Sequence, residues 1–125
     1  MTAHRNGGAA VVETLAAHGV DTIFGIPGTH NLELYRHFPA TGIRAVTPRH
    51  EQGAGYAAEA YARVTGRPGV VVATSGPGLT NTMTAAATAY AESQPMLIVS
   101  SGMPTGSEGQ DLGQLHETKN TCAVS

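Results

Sequence analysis

The apolar positions of the chain alternate between two periods. Across residues 6–18, Val11, Val12, Leu15 and Ala16 share one helical face, with Asn6 placed to cap the start and Gly19 to stop the helix. Residues 20–26 change to a short extended run that Pro27-Gly28 breaks. Residues 31–38 then return to helical spacing through Leu32, Leu34, Tyr35 and Phe38. The succession repeats: residues 43–47 predict a strand, Pro48 a turn, and residues 51–65 a long helix closed by Gly66. Residues 70–74 are branched and apolar, the pattern of a strand buried on both faces. Ser75-Gly76-Pro77-Gly78 turns that strand into one alanine-rich helix over 79–91, and residues 96–100 supply a fourth strand.

Strands alternating with helices at this spacing predict an α/β domain, a parallel sheet flanked by helices and wound by right-handed crossovers. Ligands of such sheets bind beyond the carboxyl ends of the strands. That rule selects the loops 25–30, 48–52 and 74–81, and the stretch after Ser101. Residues 102–125 are polar and glycine-containing without clear periodicity, so residues 1–125 read as one domain, incomplete at its C-terminus.

At 125 residues the chain can bury about two thirds of the surface its unfolded form exposes, sufficient for one core. A formal net charge of −2 with a single lysine gives no basic surface for nucleic acid and no polybasic membrane patch. Small molecules and other protein chains remain as partners. One cysteine, Cys122, excludes an intrachain disulfide, and no apolar run approaches the ~18 residues of a membrane span. The expectation is a cytoplasmic protein.

The loops carry the candidate chemistry. Glu51 sits between Pro48-Arg49-His50 and the small-residue run that begins Gln52-Gly53-Ala54-Gly55, at a turn running into a helix. An acid buried there beside a nitrogen heterocycle would share a proton with that ring. His30 follows a strand and precedes a helix, where its imidazole can trade protons with a substrate or merely cap the helix. His50 neighbours Glu51 and can orient it. His18 and His37 lie near helix ends, where a charge–dipole contact explains them. His116 and Glu117 are weaker candidates, and no spacing matches a metal cluster. Ser75-Gly76-Pro77-Gly78 looks like a phosphate loop, but no Lys-Ser/Thr follows, and the three spaced glycines of a dinucleotide loop are missing. A rigid turn that lets backbone approach a flat ring or a neighbouring subunit remains, as does a plain strand-to-helix turn. Neither Ser75 nor Ser101 has the Gly-x-Ser-x-Gly frame of a serine hydrolase.

Taken together, Phe24-Gly-Ile-Pro-Gly28, Pro48-Arg-His-Glu-Gln-Gly-Ala54, Tyr61-Ala-Arg63 and Thr74-Ser-Gly-Pro-Gly-Leu-Thr-Asn81 resemble the N-terminal, pyrimidine-binding domain of thiamine-diphosphate enzymes. The similarity is to the branch of acetolactate synthase, 2-oxoacid decarboxylases and benzaldehyde lyase, and it spans residues 6–120 in the family's motif order. It implies that Glu51 hydrogen-bonds the aminopyrimidine ring of thiamine diphosphate. The cofactor's own exocyclic nitrogen then becomes the base that forms the ylide, and a 2-oxoacid loses carbon dioxide to leave an enamine. It implies further that Pro27, Gly28, Thr74, Pro77 and Asn81 line the pyrimidine pocket or a dimer seam. Gln114 matches a glutamine near the substrate, and His30 a histidine of the benzaldehyde lyase branch.

Residues 27–35 with Leu115-His-Glu117 look closer to decarboxylases of 5-guanidino-2-oxopentanoate type. Acetolactate synthases usually read Asp-x-Phe-Gln-Glu where this chain reads Asp111-Leu-Gly-Gln-Leu-His-Glu117. The family's diphosphate and Mg2+ site begins with Gly-Asp-Gly on a separate domain, and this chain contains no Asp-Gly pair. The resemblance therefore implies a diphosphate-binding domain, from the same or another chain, within a homodimer or tetramer. On this reading the chain alone is inactive. Two other readings stand beside it: a non-catalytic assembly module of the same fold, and a flavodoxin-like domain for another small ligand. Intact Glu51 favours catalysis, because an unpaired buried carboxylate is costly where no ring shares its proton.

Overall fold

The computed structural model describes residues 6–102 and Gly106. Along the chain lie α1 (Gly7–Ala17), β1 (Thr22–Gly25), α2 (Leu32–Thr41), β2 (Arg44–Val46) and α3 (Glu51–Thr65). They are followed by β3 (Gly69–Ala73), α4 (Pro77–Thr80), α5 (Met83–Ala91) and β4 (Met96–Ser100). The four strands form one parallel sheet in the order β2-β1-β3-β4. This is the α/β fold that the alternating periods predict.

Strand alternation divides the core between the two faces of the sheet. Ile23, Val70 and Val72 point to the face covered by α1 and α2, where they meet Val12, Leu15, Leu34 and Phe38. Phe24 and Val71 point the other way, against Ala54 and Ala58 of α3. The small residues of α3 let it lie close to the strands, and α5 packs on α3 in turn. Every residue of β3 is buried, as its unbroken apolar run requires.

Local signals set the helix ends. The Asn6 side chain accepts the Ala9 N–H at 2.8 Å and starts α1. His50 does the same for α3: its Nδ1 accepts the Gln52 N–H at 3.1 Å. Gly66, with φ of +68°, closes α3.

Two elements differ from the sequence reading. Helix α2 continues past Phe38 through Pro39 to Thr41. Proline forfeits one backbone bond there, but Leu34 and Phe38 anchor the helix in the core, and the Thr41 hydroxyl donates to the Phe38 carbonyl at 2.9 Å. The single helix expected over 79–91 is two, α4 and α5, separated at Asn81-Thr82. Buried Thr82 occupies the Leu79 carbonyl with both its N–H and its hydroxyl, at 2.9 and 2.6 Å. A continuous α-helix would give that carbonyl to Met83.

At the amino ends of the strands, Asp21 ties three connections together. Its carboxylate accepts the Tyr61 hydroxyl at 2.8 Å and Arg67 Nη1 at 2.7 Å, and Arg67 also donates to the Gly19 carbonyl. The Tyr61 hydrogen bond first, then the Arg67 hydrogen bond, hold the carboxyl at about 2, below its ordinary 3.8. A carboxyl depressed in the folded state stabilises the fold above its unfolded pKa and loses that contribution as the pH falls through the folded value. Between pH 5 and about pH 2.5, the urea midpoint of the natural chain should therefore drop more than that of Asp21→Asn, and equal drops would contradict the linkage. Among the described residues, no helix is long and apolar enough to cross a membrane.

Candidate functional site at the switch point of the sheet

The strand order fixes where a site can form. The connection leaving β1 runs outward to β2, while that leaving β3 runs to β4 on the opposite side. The loops beyond β1 and β3 therefore diverge and open a crevice between adjacent strand ends, where ligands of open α/β sheets bind.

Each loop at this crevice is held by its own chemistry. After β1, Asn31 is 1 % exposed and staples its loop from within: its Oδ1 accepts the Gly28 N–H at 2.7 Å, and its Nδ2 donates to the Ile26 carbonyl at 3.1 Å. Pro27-Gly28-Thr29-His30 is thereby a fixed loop. After β3, Gly76 adopts φ +62° and ψ −120°, a conformation open to glycine, and Pro77 starts α4. Glu51 is the first residue of α3, where the helix dipole favours a negative charge.

The loops meet around Thr74. A Cβ placed on Gly28 would lie 3.3 Å from the Thr74 side chain, and one on Gly78 would lie 2.6 Å from Thr74 Cγ2 and 3.7 Å from Glu51 Oε1. Glycine at both positions lets the backbone close on Thr74 with the carboxylate alongside. Glu51 itself is half-buried, and its Oε2 accepts the Asn81 side-chain amide at 3.1 Å. The break between α4 and α5 leaves Asn81 at the end of α4, where its side chain reaches Glu51. On the other side of Thr74, His30 Nδ1 lies 3.1 Å from the hydroxyl of buried Ser75.

Of the residues singled out from sequence, Glu51, Asn81, Thr74 and Gly28 thus come together, with His30 on an adjoining loop. Pro27 and Pro77 flank the same loops with their rings exposed. Gln114, His116 and Glu117 lie outside the described residues. His50 does not orient Glu51 by a hydrogen bond; it caps the helix that carries it. Sequence reasoning missed Asn31 and Ser75, whose signals were weak: an asparagine at a helix start and a serine at a strand end. Among the described residues no group of three or more His, Cys, Asp or Glu side chains could hold a metal ion.

A cavity of about 310 Å3 lies elsewhere, at the amino ends of the strands, lined by Leu15, Val20, Tyr61, Pro68, Val70 and Leu97. Its charged rim, Asp21 and Arg67, is already paired, so it offers little to orient a polar substrate.

Residues 5–123 match the family model of the thiamine pyrophosphate enzymes, N-terminal TPP-binding domain. The chain belongs to this family. Among curated proteins, it is 54 % identical over 118 residues to a probable 2-ketoarginine decarboxylase of Pseudomonas aeruginosa, covering 94 % of this chain and 21 % of that protein. It is 47 % identical over 112 residues to an acetolactate synthase of Arthrospira platensis, covering 86 % of this chain and 19 % of the relative. It is 44 % identical over 109 residues to the mitochondrial catalytic subunit of acetolactate synthase from Saccharomyces cerevisiae, covering 86 % and 16 %. The chain thus spans about a fifth of the length of the curated relatives it matches. In this TPP-binding domain the loops 25–30, 48–52 and 74–81 follow the carboxyl ends of β1, β2 and β3 in one sheet.

Proposed function

We propose that this chain is the pyrimidine-binding half of a thiamine-diphosphate-dependent 2-oxoacid decarboxylase or carboligase. The observation that carries the proposal is the Glu51 carboxylate, held at the sheet's switch point by the start of α3 and by Asn81 at 3.1 Å. The donor set suits the ring end of the cofactor: a carboxylate that can share a proton with a ring nitrogen, beside glycines that let a flat ring approach. Thiamine diphosphate held there would supply a nucleophilic carbon and a cationic ring able to take up the electrons released in a decarboxylation.

The chain's own residues bind and position. Glu51 holds the aminopyrimidine through its ring nitrogen and buffers the proton there, and Asn81 fixes the carboxylate's rotamer. Gly28, Thr74 and Pro77 wall the ring, with Pro27 beside them. His30 faces the substrate and exchanges a proton or hydrogen bond with it, and Gln114 joins it from the later loop. Diphosphate and Mg2+ are held by a further domain of the same or a partner chain, in a homodimer or tetramer. The 54 % identity to a probable 2-ketoarginine decarboxylase supports decarboxylation over acetolactate synthesis and makes 2-ketoarginine the first substrate to try. A cytoplasmic setting fits the chain's single cysteine.

Calorimetric titration tests the split site. Thiamine diphosphate with Mg2+ is expected to bind the complete enzyme and not residues 1–125 alone. Absence of binding to the complete enzyme would overturn the proposal.

A further inference from the structure

Asn31 takes no part in the steps above, yet the loop after β1 is organised around it. An asparagine just before a helix ordinarily turns its side chain forward to accept an N–H of the first turn, which stabilises the helix start. Asn31 stands at that position before α2 and makes no such cap. Its side chain turns back instead: Oδ1 accepts the Gly28 N–H at 2.7 Å and Nδ2 donates to the Ile26 carbonyl at 3.1 Å, and the residue is 1 % exposed. The Asn31 N–H closes the same turn on the Gly28 carbonyl at 3.0 Å. Helix α2 thus forgoes a local stabilisation while Gly28 is gripped at both its N–H and its carbonyl.

What Gly28 touches gives this grip a consequence. Its Cα lies against Thr74, so closely that a Cβ there would stand 3.3 Å from Thr74 Cβ and Oγ1. Thr74 Cγ2 is also met by Gly78, whose own Cβ would lie 3.7 Å from Glu51 Oε1. Contacts therefore run from Asn31 through Gly28, Thr74 and Gly78 to the carboxylate, and a shift of Gly28 alters the space beside Glu51.

We propose that Asn31 is a positioning residue: through the Gly28 N–H it sets the distance between the loops after β1 and β3, and with it the fit of a flat ring beside Glu51. Asn31 then governs retention of the ring, whereas Glu51 governs its activation. The identity of that ring rests on the proposed function; the grip on Gly28 does not.

Two variants of the complete enzyme separate positioning from support of the fold. Asn31→Ala removes both side-chain bonds. Asn31→Asp keeps an oxygen for the Gly28 N–H but loses the donor to Ile26 and sets a buried carboxylate against that carbonyl, so it also weakens the fold. Thermal midpoints should fall in both. Calorimetric titration of thiamine diphosphate with Mg2+ should show affinity about tenfold weaker in Asn31→Ala and within about threefold of the natural enzyme in Asn31→Asp. Equal losses, or no loss in Asn31→Ala, would overturn the proposal, since affinity would then follow stability or ignore the loop. Hydrogen exchange of the peptide covering residues 25–31, read by mass spectrometry without cofactor, should quicken in Asn31→Ala and stay near the natural rate in Asn31→Asp. An unchanged rate in Asn31→Ala would also overturn it. If Asn31→Ala does not fold, Asn31→Ser takes its place, because its hydroxyl can cap α2 and is too short to reach Gly28. Failure of the thiamine reading shows separately, as absence of binding to the natural enzyme, and leaves the exchange comparison as it is.

Discussion

A Glu51→Gln variant of the complete enzyme is expected to bind thiamine diphosphate within about threefold of the natural protein and to turn over roughly 100- to 10,000-fold more slowly. Glutamine has nearly the same shape. Its carbonyl oxygen can still accept from Asn81, which now bonds Glu51 Oε2 at 3.1 Å, so the side chain keeps its place. What glutamine lacks is a carboxylate that can share a proton with a ring nitrogen. The loss therefore falls on activation of the cofactor and not on its retention. Exchange of the thiazolium C–H for deuterium, followed by quenched NMR, isolates that step from substrate binding and product release. Turnover equal to the natural enzyme would remove Glu51 from the mechanism. The fold should tolerate the change, because Glu51 is half-buried at a helix start and its loss removes only a favourable dipole contact of about 0.3–1 kcal/mol.

Gly69→Ala should be strongly destabilising for so small a substitution. A Cβ at position 69 would overlap the Ala58 carbonyl oxygen and lie 2.6 Å from its carbon. The obstacle is backbone, so no rotamer change relieves it, and α3 would have to lift from β3. Overpacking of this kind costs about 1–3 kcal/mol or more. Because α3 carries Glu51, activity should fall along with thermal stability. Gly53→Ala on the same helix is the control: its Cβ would meet only Pro48 Cβ at 3.7 Å, and alanine favours an exposed helical position by roughly 1 kcal/mol over glycine. Thermal unfolding of both variants should show a clear drop for the first and no drop for the second; similar midpoints would contradict the packing argument.

Most of the architecture was legible because local signals agree with it. The apolar run at 70–74, the cap at Asn6 and the stop at Gly66 each act within a few residues, and each reappears in β3, α1 and α3. The division between α4 and α5 was not legible. The alanines after Met83 favour a helix wherever it begins, and the interruption comes from buried Thr82 taking over the Leu79 carbonyl. Pro39 misled in the other direction, since burial of Leu34 and Phe38 outweighs one lost backbone bond. At the site, Glu51 stood out by its setting and by the family motif. Ser75 and Asn31 did not, because a serine or asparagine acquires meaning only from the partner that burial brings to it. His50 shows the reverse error: adjacency to Glu51 suggested contact, whereas its ring turns back to the helix backbone.

The two side-chain pairs at the crevice, Glu51 with Asn81 and His30 with Ser75, join residues 30 and 45 positions apart. Strand β1 likewise needs β3 as its neighbour across the centre of the sheet. A nascent chain that has emerged only as far as α3 therefore carries Glu51 and His30 without Asn81 and Ser75, and β1 without its neighbour at the centre of the sheet. Such a chain is prey for proteases and a client for chaperones until the third strand arrives. Its pocket cannot ripen piece by piece during translation; it appears in a single late event, once the residues through Asn81 are free to fold.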